Sequence, residues 1–366
     1  MVIRWYIKLK FKGEHKMKKD IFYYGMNIHT GKPIYYDRRQ SAYSNSLITG
    51  TSGTGKSTFA IKEIKQILQN TEDDVIILDM NGDYEELVKK NNGTIIDFLS
   101  PNTHMDPLYT PNYINNNLEH EVYTFDDIIG LCCIAMDQEL GSIEIKSIYN
   151  ILKKLYKNFE NPSFQNFYEM LIAETDHNMR NVGLHLKYYV DMMPYLFEIQ
   201  TNKVLDDIIY NPKKRIIAYK LYNTPSCNAS FYIMLCLIDI WQKITYKKNQ
   251  QKRTWIYFDN IYLILQNTVL SDTFAKIYKR GRKWGCISTC VIDDIENLCS
   301  FQLGRIILCN TSFLISFNQR AAGMDIIQQL FNINDQVMSC MQNGLGVGEG
   351  LQYIHDKNDE IIIFRQ

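Results

Sequence analysis

One glycine-rich segment constrains the fold of this chain more than any other feature. Residues 50–57 read Gly-Thr-Ser-Gly-Thr-Gly-Lys-Ser, which fills every fixed position of the phosphate-loop pattern G-x-x-x-x-G-K-[ST]. The apolar run Ser46–Thr49 predicts a short buried strand before this loop, and residues 57–69 predict a helix after it. Backbone N–H groups of such a turn, together with the helix N-terminus, bind phosphate. The sequence therefore predicts an α/β protein that binds a nucleoside triphosphate.

The residues of this loop have separate expected roles in binding ATP and Mg²⁺. Lys56 is expected to reach the outer phosphates, and Ser57 to place its hydroxyl on Mg²⁺. The remaining positions, and the residue that follows the loop, are expected to contact the nucleotide. The predicted nucleotide-binding residues are Gly50, Thr51, Ser52, Gly53, Thr54, Gly55, Lys56, Ser57 and Thr58.

Composition limits the class of protein. The chain has 366 residues, of which 46% are hydrophobic, enough for one large domain or two ordinary ones. Its 40 basic and 40 acidic residues cancel, which does not indicate a nucleic-acid partner, although a local basic patch is compatible with one. Nine scattered cysteines without a C-x-x-C pair are interpreted as buried free thiols in a reducing cytosol. The most apolar run, Phe231–Trp241, is too short to cross a membrane and predicts a buried helix.

Strand and helix signals alternate in two parts of the chain, with a helical block between them. Residues 21–117 predict the first part of an α/β core, which carries the phosphate loop. In residues 118–210 strand signals disappear and apolar residues recur at spacings of three and four, which predicts an all-helical insert. Residues 211–366 return to alternation and predict the second part of the core.

Two end segments have their own signals. Residues 1–20 form a basic leader with interleaved aromatic residues, interpreted as a solvated segment, with a membrane-surface or nucleic-acid contact as the alternative. At the other end, residues 346–350 and 360–364 predict a closing pair of strands.

A phosphate loop also needs an acidic residue at the end of a neighbouring apolar strand, which helps to hold Mg²⁺. Two runs qualify, namely Val75-Ile76-Ile77-Leu78 before Asp79 and Trp255-Ile256-Tyr257-Phe258 before Asp259. Periodicity alone does not decide between them.

Several further motifs occur in an order that resembles the ATPase domain of conjugative type IV secretion proteins. These TraC-like conjugal transfer ATPases belong to the FtsK/HerA branch of RecA-like P-loop NTPases. The resemblance implies a RecA-like α/β core with a mostly parallel central sheet and an inserted all-helical subdomain. The segments that carry it are residues 24–34, 47–57, 77–84, 105–108, 253–259 and 278–285.

The resemblance also implies roles for individual residues and partners. Asp259 corresponds to the aspartate of the magnesium strand, and Arg282 to an arginine finger that reaches the γ-phosphate of a neighbouring subunit. The implied assembly is a homo-hexamer or a mixed ring. Its implied partners are the inner-membrane channel proteins of the secretion system, and its implied location is cytoplasmic, at the inner face of the cell membrane. The family's long N-terminal half has no counterpart here.

Two positions that the family uses for ATP hydrolysis hold different residues in this chain. The magnesium strand ends Asp-Glu in the family but Asp259-Asn260 here, and an Asn amide can orient a water without accepting its proton. The family's Gln sensor after the next strand is assigned to Cys290, whose thiol is a weak donor and acceptor. A further family Arg is displaced, with Arg320 near but out of step and Met324 in its place.

Two acids could replace the missing carboxylate. Asp83 and Glu85 follow the strand that ends at Asp79 and could approach the γ-phosphate from another direction. The alternative is that they only stabilise the start of a helix.

Three functions are therefore compared. The first is an ATP-hydrolysing motor subunit of a conjugative type IV secretion apparatus. Its cofactors would be ATP and Mg²⁺, and the residues expected to catalyse hydrolysis are Lys56, Asp259, Asn260 and Arg282. The second is a degenerate structural subunit that binds ATP without turnover. The third is a DNA-translocating ATPase of the coupling type.

Overall fold

The protein is described here by a computed structural model, which covers residues 22–41, 44–108, 118–160, 162–197, 214–245, 252–342, 345–355 and 360–366. The predicted basic leader, residues 1–20, lies outside the described residues, as does the end of the predicted helical insert.

One eleven-stranded sheet organises the described chain. Its strands are β1 (Phe22–Asn27), β2 (Pro33–Tyr36), β3 (Ser46–Thr49), β4 (Asp74–Asp79), β5 (Thr94–Asp97), β6 (Ile216–Lys220), β7 (Thr254–Asp259), β8 (Cys286–Ile292), β9 (Phe313–Ser316), β10 (Glu349–Ile354) and β11 (Glu360–Arg365). They lie in the order β2-β1-β11-β10-β9-β3-β8-β7-β4-β6-β5. The strands from β9 to β5 are parallel, whereas the remaining strands pair antiparallel at one side. The predicted α/β class with a mostly parallel sheet is confirmed.

The α-helices among the described residues fall into three groups along the chain. The first two are α1 (Lys56–Asn70) and α2 (Glu85–Lys90). Between β5 and β6 follow α3 (Leu118–Met136), α4 (Ser142–Asn158), α5 (Phe164–Ile172) and α6 (His177–Met192). After β6 come α7 (Ala229–Thr245), α8 (Tyr262–Gln266), α9 (Thr268–Arg280), α10 (Ile295–Cys299), α11 (Gln302–Cys309), α12 (Ala321–Phe331) and α13 (Asp335–Gln342).

The sheet separates two hydrophobic layers. Successive residues of a strand point to opposite faces, so Leu47 joins one core and Ile48 the other. Helices α1 and α2 cover one face, and the helices α3 to α7 with α9 cover the other. Because the central strands are buried on both sides, their sequences are continuous apolar runs rather than alternating ones.

The helical block is attached to this second layer rather than standing apart from it. Helix α3 packs against α7 and α9. Asp127 of α3 accepts a hydrogen bond from the ammonium of Lys276 in α9 at 3.0 Å, with both side chains largely buried. The boundaries predicted for the insert, 118–210, stay a prediction because residues 198–213 are not described.

Helix α7 carries the most apolar run of the chain, and it is buried as predicted. Residues Phe231–Ile244 of α7 are all buried, and Asp239 within it bonds to the Lys243 ammonium and the Tyr219 hydroxyl. Among the residues that the structure describes, no helix is both long and apolar enough to span a membrane.

Two sequence predictions are wrong in detail. The strand predicted at residues 346–350 begins only at Glu349, because Gly348 has a left-handed backbone (φ 81°) and its N–H bonds to the Thr54 carbonyl of the phosphate loop. The cysteines, all within the described residues, form no disulfide, but they are not all buried. Cys227, Cys309 and Cys340 are exposed.

A buried ion pair fixes α1 against the sheet. The Arg38 guanidinium is 0% exposed and its NH1 lies 3.1 Å from both carboxylate oxygens of Glu63, in α1. The hydroxyls of Tyr24 and Tyr257 donate to the same carboxylate at 2.6 and 2.7 Å. Since α1 begins at the phosphate loop, this network also fixes the loop.

We predict that Glu63→Gln destabilises the protein by about 3 kcal/mol, because it leaves the buried Arg38 cation without its counter-charge. Unfolding by urea and by heat measures the change. The matched control is Glu86→Gln in α2, which breaks an exposed pair with Lys90 and should leave the unfolding midpoint unchanged. Equal effects of the two substitutions would contradict the role given to Glu63.

Candidate nucleotide-binding site

The phosphate loop joins β3 to α1 as predicted, and its backbone leaves room for a ligand. Gly53 and Gly55 have left-handed φ values of 80° and 109°, which favour glycine. A Cβ atom added at Gly53 would meet nothing within 4 Å, so the turn is open on that side. The start of α1 directs its N-terminal N–H groups toward this opening.

Neighbouring segments hold the loop in this conformation. The Thr51 N–H donates to the Asn318 carbonyl at 2.8 Å, and the Phe317 N–H donates to the Thr49 carbonyl at 2.8 Å. The buried Gln319 amide donates to the Thr49 hydroxyl at 2.9 Å. The segment after β9 therefore supports the loop strand from the side.

Lys56 lies across the loop with its ammonium directed at two oxygens. It donates to the Thr51 carbonyl at 2.9 Å and lies 2.7 Å from a carboxylate oxygen of Asp293. Lys56 is only 8% exposed, whereas the Asp293 side chain is 63% exposed. Asp293 directly follows β8, the strand that pairs with β3. The carboxylate thus meets the ammonium that is expected to bind the outer phosphates.

The hydroxyl expected to bind Mg²⁺ is also oriented by a carboxylate. Ser57 donates from its Oγ to Asp83 at 2.5 Å. Asp83 belongs to the turn after β4 and is exposed. This contact is one that a hydrated Mg²⁺ could share, because carboxylates and hydroxyls are both ligands that Mg²⁺ accepts through water.

The two candidate magnesium-strand acids lie side by side, but they are bonded differently. Asp79 pairs in register with Asp259 across β4 and β7. Both oxygens of Asp79 are used, since they accept the N–H groups of Asn81, Gly82 and Tyr84. Asp259 is 3% exposed, and its Oδ2 has no hydrogen-bond partner. In addition, only β8 separates β7 from the loop strand, whereas β4 lies one strand farther away. The geometry therefore supports Asp259.

Electrostatics distinguish Asp259 as well. Burial, and after it the nearby carboxylates of Asp79, Asp83 and Asp293, raise its pKa to about 7 against the opposing effect of Lys56. Burial also raises the pKa of Asp79. A site that holds one ammonium among these carboxylates has an excess of negative charge close to the loop.

These residues fit a nucleotide with Mg²⁺. The unpaired Oδ2 of Asp259 and the Ser57 hydroxyl supply oxygen ligands, and the open turn and Lys56 supply donors for phosphate. Among the described residues no three His, Cys, Asp or Glu side chains come together as a metal site of their own. Mg²⁺ is ordinarily held by one or two protein groups, phosphate oxygens and water, which agrees with this arrangement.

Comparison with known sequences identifies the family. The chain matches a family described as "Helicase HerA, central domain" over residues 24–222, more than half of its length. The chain belongs to this family. The predicted HerA branch is thereby confirmed. No curated protein matches the sequence.

Solved structures share the fold of this HerA-family chain. VirB4 of Thermoanaerobacter pseudethanolicus matches with a TM-score of 0.72 and 17% identity, over 94% of this chain and 95% of that one. The bacterial conjugative coupling protein TrwB, in an unbound form, gives 0.60 and 13%, over 98% and 90%. TrwB in complex with ADP and Mg²⁺ gives 0.54 and 14%, over 98% and 84%. These similarities confirm the predicted RecA-like P-loop fold, which the chain shares with VirB4 and with a conjugative coupling protein.

The assignment of Cys290 to the sensor position is wrong. Cys290 is fully buried inside β8, in register with Leu47 and Phe258, and burial raises the pKa of its thiol. The strand continues to Ile292, so the first residue after it is Asp293. Sequence reasoning missed Asp293, although it follows an apolar strand in the same way as Asp79 and Asp259.

Asn260 lies where the sequence predicted, at the end of β7. Its backbone is left-handed (φ 58°), a conformation that Asn tolerates better than most residues, and its N–H donates to the Val291 carbonyl at 3.0 Å. Of the two predicted substitute acids, Asp83 is at the site through Ser57. Glu85 instead accepts a hydrogen bond from Tyr222 and pairs with Lys89.

The arginines lie at opposite edges of the sheet. Arg320 follows Gln319 beside the phosphate loop and is exposed, whereas Met324 is buried in α12. Arg282 is exposed in the turn before β8, at the amino edge, roughly 20 Å along the strand from the loop. It is therefore too far to reach this chain's own phosphate loop, and its role as a finger in a neighbour stays a prediction.

We predict that Asp259→Asn stabilises the nucleotide-free protein in alkaline solution. The unfolded carboxyl ionises near its usual pKa of 3.8, but the folded one has a pKa of about 7, so the folded state retains a proton that the unfolded state releases. The free energy of unfolding therefore falls from about pH 4 to pH 7 and levels off above pH 7. Removing the carboxyl removes this loss. The variant should melt several degrees above wild type at pH 8, with the gap closing toward pH 4.

Differential scanning fluorimetry across this pH range provides the measurement. Asp294→Asn is the matched control, because Asp294 caps α10 by accepting the N–H groups of Glu296 and Asn297, and Asn caps equally well. The control should show no pH-dependent gain. A wild-type melting temperature that does not fall relative to Asp259→Asn as pH rises would refute the raised pKa.

Proposed function

We propose that this protein is an ATP-hydrolysing motor subunit of a conjugative type IV secretion apparatus. The observation that carries the proposal is the pairing of a complete phosphate loop with the buried, unpaired carboxylate oxygen of Asp259. Membership of the HerA family and the likeness to VirB4 and to the conjugative coupling protein TrwB support the biological setting.

The residues of the loop would bind and orient ATP. The turn at residues 50–55 and the first N–H groups of α1 would hold the phosphates, and Lys56 would exchange its contacts with Thr51 and Asp293 for the outer phosphates. Ser57 and Asp259 would hold Mg²⁺, directly or through water. When bound, Mg²⁺ neutralises the charge that develops on the phosphate oxygens.

The distance between Arg282 and the phosphate loop of the same chain supports assembly into a ring. Because Arg282 lies at the amino edge of the sheet, it can act only on nucleotide held by another subunit. We therefore propose a homo-hexamer, or a ring mixed with a related subunit, docked on the inner-membrane channel proteins at the cytoplasmic face of the membrane. Asn260 favours a second candidate, a nucleotide-gated structural subunit that binds ATP without turnover.

The test is phosphate release by the purified protein with ATP and Mg²⁺. We expect steady turnover by wild type, and loss of both turnover and nucleotide affinity in Lys56→Ala, because the ammonium is the cation that contacts the outer phosphates. Lys62→Ala, on the exposed side of α1, is the matched control and should hydrolyse ATP normally. Tight ATP binding that survives in Lys56→Ala would refute the site. Binding without turnover in wild type would select the structural subunit.

The ring predicts complementation between two inactive variants. Arg282→Ala alone should lose most turnover, because an arginine finger in trans contributes on the order of 10³-fold. Mixed with Lys56→Ala subunits, it should regain part of the activity, since some interfaces then combine an intact loop with an intact finger. Lys283→Ala, at the neighbouring exposed position, should keep full activity. No recovery in any mixing ratio would argue against a finger in trans.

A further inference from the structure

The end of β7 offers no base for the water that attacks the γ-phosphate. Asn260 can orient a water but cannot accept its proton. Hydrolysis therefore needs a carboxylate at a position other than 260, and the described site offers four: Asp79, Asp83, Asp259 and Asp293.

Three of these carboxylates are already committed. Asp79 is 2% exposed and caps the turn after β4 through three backbone N–H groups. Asp259 is 3% exposed and is the ligand proposed for Mg²⁺. Asp83 accepts the hydroxyl of Ser57, the other proposed Mg²⁺ ligand. Asp83 is thus already bonded to a group that would hold the metal.

Asp293 differs from these three in position and exposure. Its carboxylate lies 2.7 Å from the Lys56 ammonium, and its side chain is 63% exposed. Because Lys56 reaches the outer phosphates, a group one hydrogen bond from that ammonium lies beside the γ-phosphate position. It lies at the end of β8, between the loop strand and the magnesium strand.

We propose that Asp293 is the catalytic base of this ATPase, so that the carboxylate which activates water lies at the end of β8 instead of β7. The inference rests on the proposed function. The water oxygen bonds to the γ-phosphorus while the bond from that phosphorus to the bridging oxygen breaks, its electron pair leaving with ADP. The water proton passes to Asp293 and then to solvent, and inorganic phosphate is released.

The ion pair with Lys56 also links Asp293 to nucleotide binding. In the structure the carboxylate neutralises the ammonium. The incoming phosphates compete for Lys56, and this exchange releases Asp293 beside the γ-phosphate. Removing the carboxylate should therefore not weaken nucleotide binding, because Lys56 loses a competitor and keeps its ligand.

The proposal also gives Asn260 a role. The Asn260 N–H donates to the Val291 carbonyl, two residues before Asp293. Both side chains line the same cleft, which has a volume of about 500 Å³ and is also bordered by Tyr222 and Met80. Asn260 is accordingly a positioning residue that orients the water for Asp293. We therefore expect that a carboxylate introduced at position 260, after β7, can replace the one removed from position 293, after β8.

The experiment compares ATP turnover in five proteins: wild type, Lys56→Ala, Asp293→Asn, Asp294→Asn and the double variant Asn260→Glu/Asp293→Asn. Asp293→Asn should lose about 10²–10³-fold in turnover, the usual effect of removing a general base. Its affinity for a fluorescent ATP analogue should stay equal or rise, which also shows that the variant is folded. Asp294→Asn, the adjacent control, should behave as wild type. The double variant should recover turnover.

The outcomes separate this inference from the proposed function. Wild-type turnover that is lost in Lys56→Ala but kept in Asp293→Asn would overturn the role of Asp293 and leave the ATPase intact. Parallel loss of binding and turnover in Asp293→Asn would also overturn it, because the residue would then be a binding group. Equal background phosphate release from wild type and Lys56→Ala would overturn the ATPase function and this inference together.

Discussion

One buried cation, the guanidinium of Arg38, fixes the elements that carry the phosphate loop. It donates to Glu63 in α1, to the Ser44 carbonyl just before β3, and to the Thr289 hydroxyl in β8. Its desolvation is costly, and only a carboxylate with several further acceptors offsets it. Thr289 lies in β8, four residues before Asp293, which directly follows that strand. The pair therefore fixes both the helix of the loop and the strand that presents Asp293.

The nucleotide site has the opposite electrostatic design. Around Arg38 every strong charge is matched, whereas near the loop Asp259 experiences the charges of three other carboxylates, those of Asp79, Asp83 and Asp293, and of one ammonium, that of Lys56. Such an arrangement destabilises the nucleotide-free protein, as the raised pKa of Asp259 indicates. Charge that is unfavourable in the empty site is what binds a divalent cation. The rigid network around Arg38 supplies the stability that lets the site remain strained.

Local sequence patterns predicted most strands and helices. The features they did not predict depend on contacts between residues that are far apart in the sequence. The loop strand Ser46–Thr49 and the strand Cys286–Ile292 have the predicted bounds because each is a short segment rich in apolar and β-branched residues, with a glycine directly after the first and directly before the second. The late strand β10 starts three residues beyond its predicted start, because Gly348 bonds to the phosphate loop nearly 300 residues earlier. The choice of Asp259 over Asp79 required the strand order and the hydrogen bonds of both carboxylates, and neither is visible in a linear pattern.

Asp293 shows why a missing motif residue does not by itself mean a missing activity. In a parallel sheet, neighbouring strands end at the same edge, so their terminal side chains converge on one volume. Val291 pairs with Asp259, so Asn260 and Asp293 leave β7 and β8 at the same edge, one and two residues beyond that pair. Proton transfer depends on the distance of a carboxylate from the reacting water, whichever strand supplies it. The criterion for a working site is therefore geometric. An acid within reach of the Lys56 ammonium meets it in this chain, although the position after Asp259 holds an amide.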